Sequence, residues 1–194
     1  MSVPEGAIRC PWCMKDEVYQ AYHDHVWGHP EHDDRKLLAK LILDGAQAGL
    51  SWYTILIRTD GYAKAFDQWD AERIARYGHR DIERLMHDPG IIRNRQKIES
   101  AIKNARAWLR IMEGGQGAFD RFVWKHVDHR PIVNRWTDPA QVPTSTPISD
   151  ALSRDLKRAG FSFVGTTIVY AYMQAIGMVD DHLEHCWRRT VPTT

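Results

Sequence analysis

Leu156-Lys157-Arg158-Ala159-Gly160-Phe161-Ser162-Phe163-Val164-Gly165-Thr166-Thr167 reads as two helices joined by a short glycine-bearing turn. Thr146-Pro147 is a good N-cap and first-turn pair for a helix reaching Ala159, and Gly160 ends it. Gly165 opens a second helix to about Ile176, which Gly177 closes. Phe161 and Val164 are the apolar anchors of the turn. Glycine at 165 lets the backbone approach a ligand, and the free N–H groups of the helix start form an anion site. That arrangement suits a DNA phosphate, a contact that fixes position and reads no sequence. Gly160, Gly165, Thr166 and Thr167 are therefore candidate DNA contacts. The competing reading is an ordinary helical hairpin with a glycine C-cap.

Helical periodicity extends outward from this hairpin in both directions. Residues 34–44 put Leu37, Leu38, Leu41 and Ile42 on one face, with Asp33 or Asp34 as N-cap. Gln47-Ala48-Gly49-Leu50 reads as a turn, and Trp52 to Arg58 as the next helix. Further helices are expected from Ala71 to about Tyr77, from Asp81 to His87 and from Phe119 to Val127. The longest, from about Arg93 to Glu113, carries Ile98, Ile102, Ala105, Leu109 and Met112 at 3–4 spacing and stops at Gly114-Gly115. Residues 129–144 hold three prolines and little periodicity, so they form a long connection. Strand signals are nearly absent. The fold class is all-α, and 1–194 reads as one unit of two helical subdomains sharing a cleft.

Composition narrows the functional class. No apolar run reaches the roughly 18 residues of a membrane span. Met1-Ser2-Val3-Pro4-Glu5 lacks the basic and apolar regions of a secretory signal, which makes the cytoplasm the expected compartment. A net charge of +1 does not announce a nucleic-acid partner, so DNA contact has to come from a local patch or from backbone amides. Nothing demands more than a monomer.

Three cysteines in such a chain argue against a disulfide framework and leave metal ligation or inert burial. His182 and Cys186, at i, i+4, face the same way if helical. Cys10 and His23 near the N-terminus complete a tetrahedral set of the structural zinc kind, which staples both chain ends. Cys13 competes with His23, because Cys10-Pro11-Trp12-Cys13 is itself a C-x-x-C pair, and His25, His29, His32 and His185 are close in sequence. Trp12, Tyr19, Tyr22, Trp27 and Trp52 cluster around one acidic position, Asp44. A flipped base needs aromatic faces to stack on and polar groups at its edge. A cationic methylated purine gains further from π-faces and a carboxylate. The competing reading makes these aromatics core and Asp44 a solvated helix end.

Tyr22-His23-Asp24, Trp27-Gly28, Gln47-Ala48-Gly49-Leu50-Ser51-Trp52, Gly90-Ile91-Ile92-Arg93, Asn104-Ala105-Arg106-Ala107, Pro143-Thr144-Ser145-Thr146 and Phe163-Val164-Gly165-Thr166-Thr167 resemble the bacterial 3-methyladenine DNA glycosylase I family, colinearly over nearly the whole chain. The resemblance implies a helix-hairpin-helix glycosylase fold with a zinc-binding extension. It implies base excision repair: 3-methyladenine flipped out of alkylated double-stranded DNA and released as free base, without lyase activity. The family's zinc ligands correspond to Cys10, His23, His182 and Cys186, holding one structural ion per chain. Its stacking tryptophan corresponds to Trp52 and its pocket tyrosines to Tyr19 and Tyr22, with Trp12 and Trp27 nearby. Gln47 to Leu50, with Gly49 at the turn, resembles the segment that fills the gap left by the extruded nucleotide, with Leu50 as wedge.

Two positions depart from the family. Its pocket glutamate corresponds to Asp44, one methylene shorter, and an adjacent glutamine to Ala46. The alternative that these raise is a modified-base binding protein with weak or altered excision. Val179-Asp180-Asp181-His182 stands where the family reads Asn-Asp-His. The wider superfamily carries a catalytic aspartate shortly after the hairpin, so Asp180 is a second catalytic candidate beside Asp44. Its competing reading is a solvated or capping carboxylate. A zinc-dependent hydrolase would need an open coordination position, which a four-ligand set does not supply. No lysine lies within 160–187, which argues against a Schiff-base lyase.

Overall fold

A computed structural model describes residues 3–189, so Met1 and Ser2 of the N-terminal reading and the last five residues of the 1–194 unit lie outside the described residues. The helices are α1 (Glu17–His25), α2 (Asp34–Gln47), α3 (Trp52–Leu56), α4 (Thr59–Ala65), α5 (Ala71–Ala75), α6 (His79–Met86), α7 (Arg95–Met112), α8 (Ala118–Trp124), α9 (Pro147–Arg158) and α10 (Thr166–Ala175). Two-residue strands β1 (Ile132–Val133) and β2 (Val179–Asp180) pair in parallel, Ile132 opposite Val179. Short polar side chains start most helices: Asp16, Asp33, Ser51, Asp70, Asn94 and Thr146 each accept from a backbone N–H three residues on. No helix among the described residues is long and apolar enough to cross a membrane.

The mostly helical expectation holds, with three local corrections. The helix from Trp52 stops at Leu56, and a separate helix, α4, follows. The poorly periodic N-terminal stretch contains α1, whose buried side chains are Tyr22, His23 and Asp24 rather than aliphatics. The segment from His182 to Cys186 is a bridge and turn, not a helix.

Helix α2 is the hub, packing on α3, α7, α8 and α10. Its Leu37, Leu38 and Leu41 are fully buried in a core that also holds Trp124, Tyr172, Leu152 and Leu156. The hairpin α9–turn–α10 forms as read: Phe161 and Val164 are buried, and Gly160 adopts φ +99°. Asn104 on α7 pins the turn, accepting from Ser162 N at 2.8 Å and donating to Ser162 O at 3.1 Å. The first turn of α10 has Gly165 as N-cap with no side-chain cap, and Gly165 is exposed. Gly61 lies so close to Gly90 that a Cβ on it would stand 2.3 Å from the Gly90 carbonyl oxygen, the packing reason for a glycine at this contact.

Candidate functional site: an aromatic pocket beside a cysteine–histidine cluster

A pocket of about 260 Å³ opens between α1, α2, α3 and α10. This is below the roughly 300–1,000 Å³ of drug-sized sites and suits a single heterocycle. Trp12, Tyr19, Tyr22, Trp27, Asp44 and Trp52, the pocket residues read from the sequence, line it together, joined by Gln47, which the sequence reading placed among the DNA contacts. Trp12 meets Tyr19 and Trp27 edge-on, each at 5.0 Å, and Tyr22 is 5.2 Å from Trp52. The walls are thus a fixed lattice of rings, rigid enough to present one face for stacking.

Polar groups are few and buried. Asp44 is 1% exposed, and its Oδ2 has no hydrogen-bond partner. Trp52 Nε1 is likewise buried without a partner. Burial pushes the Asp44 carboxyl above the usual carboxylate range, while Lys40 opposes the shift. Burial, followed by the Asp44 and Tyr19 charges, pushes the Tyr22 phenol well above its ordinary value, so it remains a donor.

Two charged pocket residues escaped the sequence reading. Lys40, one turn before Asp44 on α2, hydrogen-bonds Asp44 Oδ1 and holds its ammonium 4.0 Å from the Trp52 ring centroid. Its pairing was legible as an i, i+4 spacing. Asp181 lines the pocket and accepts from Asn134 Nδ2 (2.7 Å), Trp136 Nε1 (2.6 Å), Tyr170 OH (2.7 Å) and Gln174 Nε2 (2.8 Å). Asp180, the sequence candidate, does not line the pocket. It is buried and accepts from His182 Nδ1 at 2.8 Å and His182 N at 3.1 Å. The physical reason is strand alternation, which turns adjacent side chains to opposite sides as β2 ends.

At the pocket rim the chain turns through Ala48-Gly49-Leu50. Gly49 has φ +75°, and Leu50 is 40% exposed, an apolar side chain held out from the surface. Lys97 Nζ donates to the carbonyls of Ala46 (2.8 Å) and Ala48 (2.7 Å), closing the C-terminus of α2 and fixing this turn. In the hairpin, the Thr166 hydroxyl bonds Ser149 Oγ at 2.8 Å, so it ties α9 to α10, whereas Thr167 is exposed.

Behind the pocket, ligand atoms of Cys10, His23 and Cys186 lie within 4.8 Å of one another, all buried. The hydrogen bond from Cys10 brings the Cys186 thiol down to about 4 against its burial, and the same bond pushes Cys10 up. His23 Nδ1 is held by Asp24 at 2.8 Å and His182 Nδ1 by Asp180 at 2.8 Å, which leaves both Nε2 atoms for other partners. His182 Nε2 is buried without one, and its ring lies 5.0 Å from that of His23. Cys13 is buried, and its thiol donates to the Cys10 carbonyl at 3.1 Å; it is outside the cluster.

The methyladenine glycosylase family profile matches residues 12–189. DNA-3-methyladenine glycosylase 1 of Escherichia coli (strain K12) is 49% identical over 178 residues, 92% of this chain and 95% of its own length. A crystal structure of 3-methyladenine DNA glycosylase I is similar with TM-score 0.92 at 48% identity, over 94% of this chain and 100% of that one. The Staphylococcus aureus 3-methyladenine DNA glycosylase I, solved to explain 3-methyladenine recognition, is similar with TM-score 0.90 at 36% identity, over 95% and 98%.

Proposed function

This chain belongs to the methyladenine glycosylase family, and on that premise we propose that it is a DNA-3-methyladenine glycosylase acting in base excision repair in the cytoplasm. The observation that carries the reading is a base-sized pocket in which Trp52, Tyr22 and Asp44 converge beside the exposed Leu50. The N-terminus of α10, where Gly165 and Thr167 are exposed and Thr166 is half-buried, binds a phosphate of double-stranded alkylated DNA, so the hairpin acts as a helix-hairpin-helix element; Gly160 shapes its turn. Leu50, held by Gln47 and Gly49, wedges into the stack, and the damaged nucleotide swings into the pocket. Trp52 stacks the base, Tyr19, Trp12 and Trp27 confine it, and Asp44 and Tyr22 meet its polar edge.

A 3-methylated adenine carries positive charge in DNA and is a good leaving group, so positioning supplies most of the catalysis. The bond from the sugar C1′ to the base nitrogen breaks, and its electron pair neutralises the departing base. Water bonds to C1′ and releases a proton to solvent. Free 3-methyladenine and an abasic site are the products. Lys40 is engaged by Asp44, which fits a monofunctional enzyme without lyase chemistry. Asp180 acts by orienting His182 rather than at the sugar.

The three clustered donors, with His182 beside them but outside the 4.8 Å group, fit one structural zinc: two cysteines, one of them favoured as thiolate, and two imidazoles fixed through Nδ1 by carboxylates, that of His182 with an orphaned Nε2. Cys10, His23, His182 and Cys186 would hold it and tie the N-terminal segment to the C-terminal one. The ion supplies stability and no reaction step.

The test is release of free base from DNA treated with a methylating agent, followed by chromatography. We expect 3-methyladenine in the soluble fraction and a loss of about 5- to 150-fold in Trp52→Ala, which removes the stacking face. Tight binding of the free base without release would favour the modified-base binding alternative raised by Asp44 and Ala46.

A further inference from the structure

Gly90-Ile91-Ile92-Arg93 and Asn104-Ala105-Arg106-Ala107 line no part of the pocket. The first leads into α7 and the second lies within it. Gly90 packs against Gly61, and Ile92 N donates to the Tyr62 hydroxyl at 3.2 Å, so the start of α7 is fixed against α4. Asn94 caps the helix by accepting from Lys97 N at 3.1 Å. Lys97 is thereby placed in the first turn. Its ammonium holds the carbonyls of Ala46 and Ala48, on either side of Gln47. The chain continues from there through Gly49 to the exposed Leu50, whose N–H donates back to Gln47 O at 2.6 Å.

Further along the same helix, the buried Asn104 holds both backbone groups of Ser162. Next to Ser162, Phe163 stands at φ +55°, a conformation that a residue with a side chain adopts only when its neighbours are fixed. Ser153 Oγ fixes the other side, donating to Val164 O at 2.6 Å, and Gly165 then opens α10. Lys97 and Asn104 are seven residues apart. On an α-helix that is two turns, about 10 Å of rise and about 20° of rotation, so both project from one face. Ile98, Ala101, Ile102 and Ala105 bury α7 between and around them. One rigid helix thus grips the turn that carries Leu50 and the turn that precedes Gly165, and its rise sets their spacing. A wedge opens a base stack only while the backbone beside it is held, and a misplacement of about 1 Å can cost about a hundredfold in rate. We propose that Lys97 and Asn104 are positioning residues for base release: across α7 they keep the Leu50 wedge in register with the phosphate site at Gly165. This rests on the glycosylase reading above.

The experiment measures single-turnover release of 3-methyladenine from methylated duplex DNA, at saturating protein, by wild type, Lys97→Met, Lys97→Arg, Asn104→Ala and the Lys97→Met/Asn104→Ala double variant. Affinity for free 3-methyladenine, read from tryptophan fluorescence, is measured on the same proteins. Met keeps the stem and removes the donors; Arg keeps donors for both carbonyls. Lys97→Met should slow release by about tenfold to a hundredfold and Asn104→Ala by at least about fivefold, with Lys97→Arg recovering most of the rate. Free-base affinity should stay within about twofold of wild type, because neither residue touches the pocket. The double variant should be within about twofold of the slower single one, since the register is lost once from either end. Losses that multiply would show two unconnected supports and overturn the proposal. A fall in free-base affinity that matches the fall in release would make the residues structural only and overturn it too, as would release at the wild-type rate by Lys97→Met. The split between release and base affinity in Lys97→Met decides the matter even if Asn104→Ala does not fold. A wild type that binds the free base and releases none from DNA would instead overturn the glycosylase reading.

Discussion

Replacing Asp181 with Asn changes one oxygen to an NH2 group with almost no change in shape. In the structure that carboxylate receives four donors, two on each oxygen: Asn134 and Trp136 on Oδ1, and Tyr170 and Gln174 on Oδ2. An amide at this position can accept only two of them. The other two then face a donor in a place 3% exposed. A hydrogen bond to a charged group contributes about 1.5–3 kcal/mol, so the loss of two amounts to about 3–6 kcal/mol. For a chain of this size each kcal/mol moves the melting temperature by about 2–4 °C, which predicts a fall of about 6–24 °C. Differential scanning calorimetry reads it directly. Tyr170→Phe removes a single donor and should lose less than half as much. The four bonds join the loop after β1 to α10 and the end of β2, so the pocket wall should loosen as well. A fall below about 3 °C for Asp181→Asn would refute the reasoning, since it would mean that the four contacts do not act as a buried network.

The pH profile of base release should be narrower than isolated side chains would give. Burial raises the Asp44 carboxyl and lowers the Lys40 amine, with their mutual attraction opposing both shifts. Lowering the pH protonates Asp44 and breaks the pair above the ordinary carboxylate value of about 3.9, and raising it discharges Lys40 below about 10.4. Single-turnover rates against pH check this; an acid limb at or below the ordinary carboxylate value sinks it, and Asp44→Asn should lose the acid limb. For the cysteine–histidine cluster, metal analysis of the purified protein should find one zinc per chain, and chelation should lower the melting temperature by at least about 5 °C. A metal-free protein with the same melting temperature would remove zinc from the account.

Most helices were legible because their signals are local. Asp33, Asp70 and the Thr146-Pro147 pair mark helix starts, and Leu37, Leu38, Leu41 and Ile42 mark a buried face. Helix α1 was not, since its inward face is built from Tyr22, His23 and Asp24, residues that carry no apolar period. Helix α4 was hidden by Gly61, whose presence is explained only by Gly90 across the fold. The site shows the same division. Aromatic residues and the candidate metal ligands Cys10 and Cys186 were readable from residue type and His23 from the resemblance, yet the expected helix at His182 is a turn, and three-dimensional closure rather than i, i+4 spacing brings Cys186 in. Asp180 drew attention because it departs from the family pattern, while Asp181, next to it, carries the four-donor network at the pocket.

Asp44 makes better sense together with Lys40 than by itself. A carboxylate at position 44, one methylene shorter than the glutamate that the resemblance implies there, reaches less far into the pocket. Left alone at 1% exposure it would be a buried charge without a counter-ion, which costs several kcal/mol or forces protonation. Lys40 addresses both problems from the preceding turn. Its ammonium neutralises the carboxylate, and its four-carbon stem fills space and carries a polar head up to the Trp52 face. The net effect exchanges one long acceptor for an acceptor and a donor side by side. Asp44 therefore should not tolerate reversion by itself: Asp44→Glu with Lys40 in place pushes the longer carboxylate into the ammonium over Trp52. Asp44→Glu combined with Lys40→Met relieves that conflict and leaves a single reaching acceptor. The coupling between positions 40 and 44 is thus a property of the pair, and substitutions there should not add.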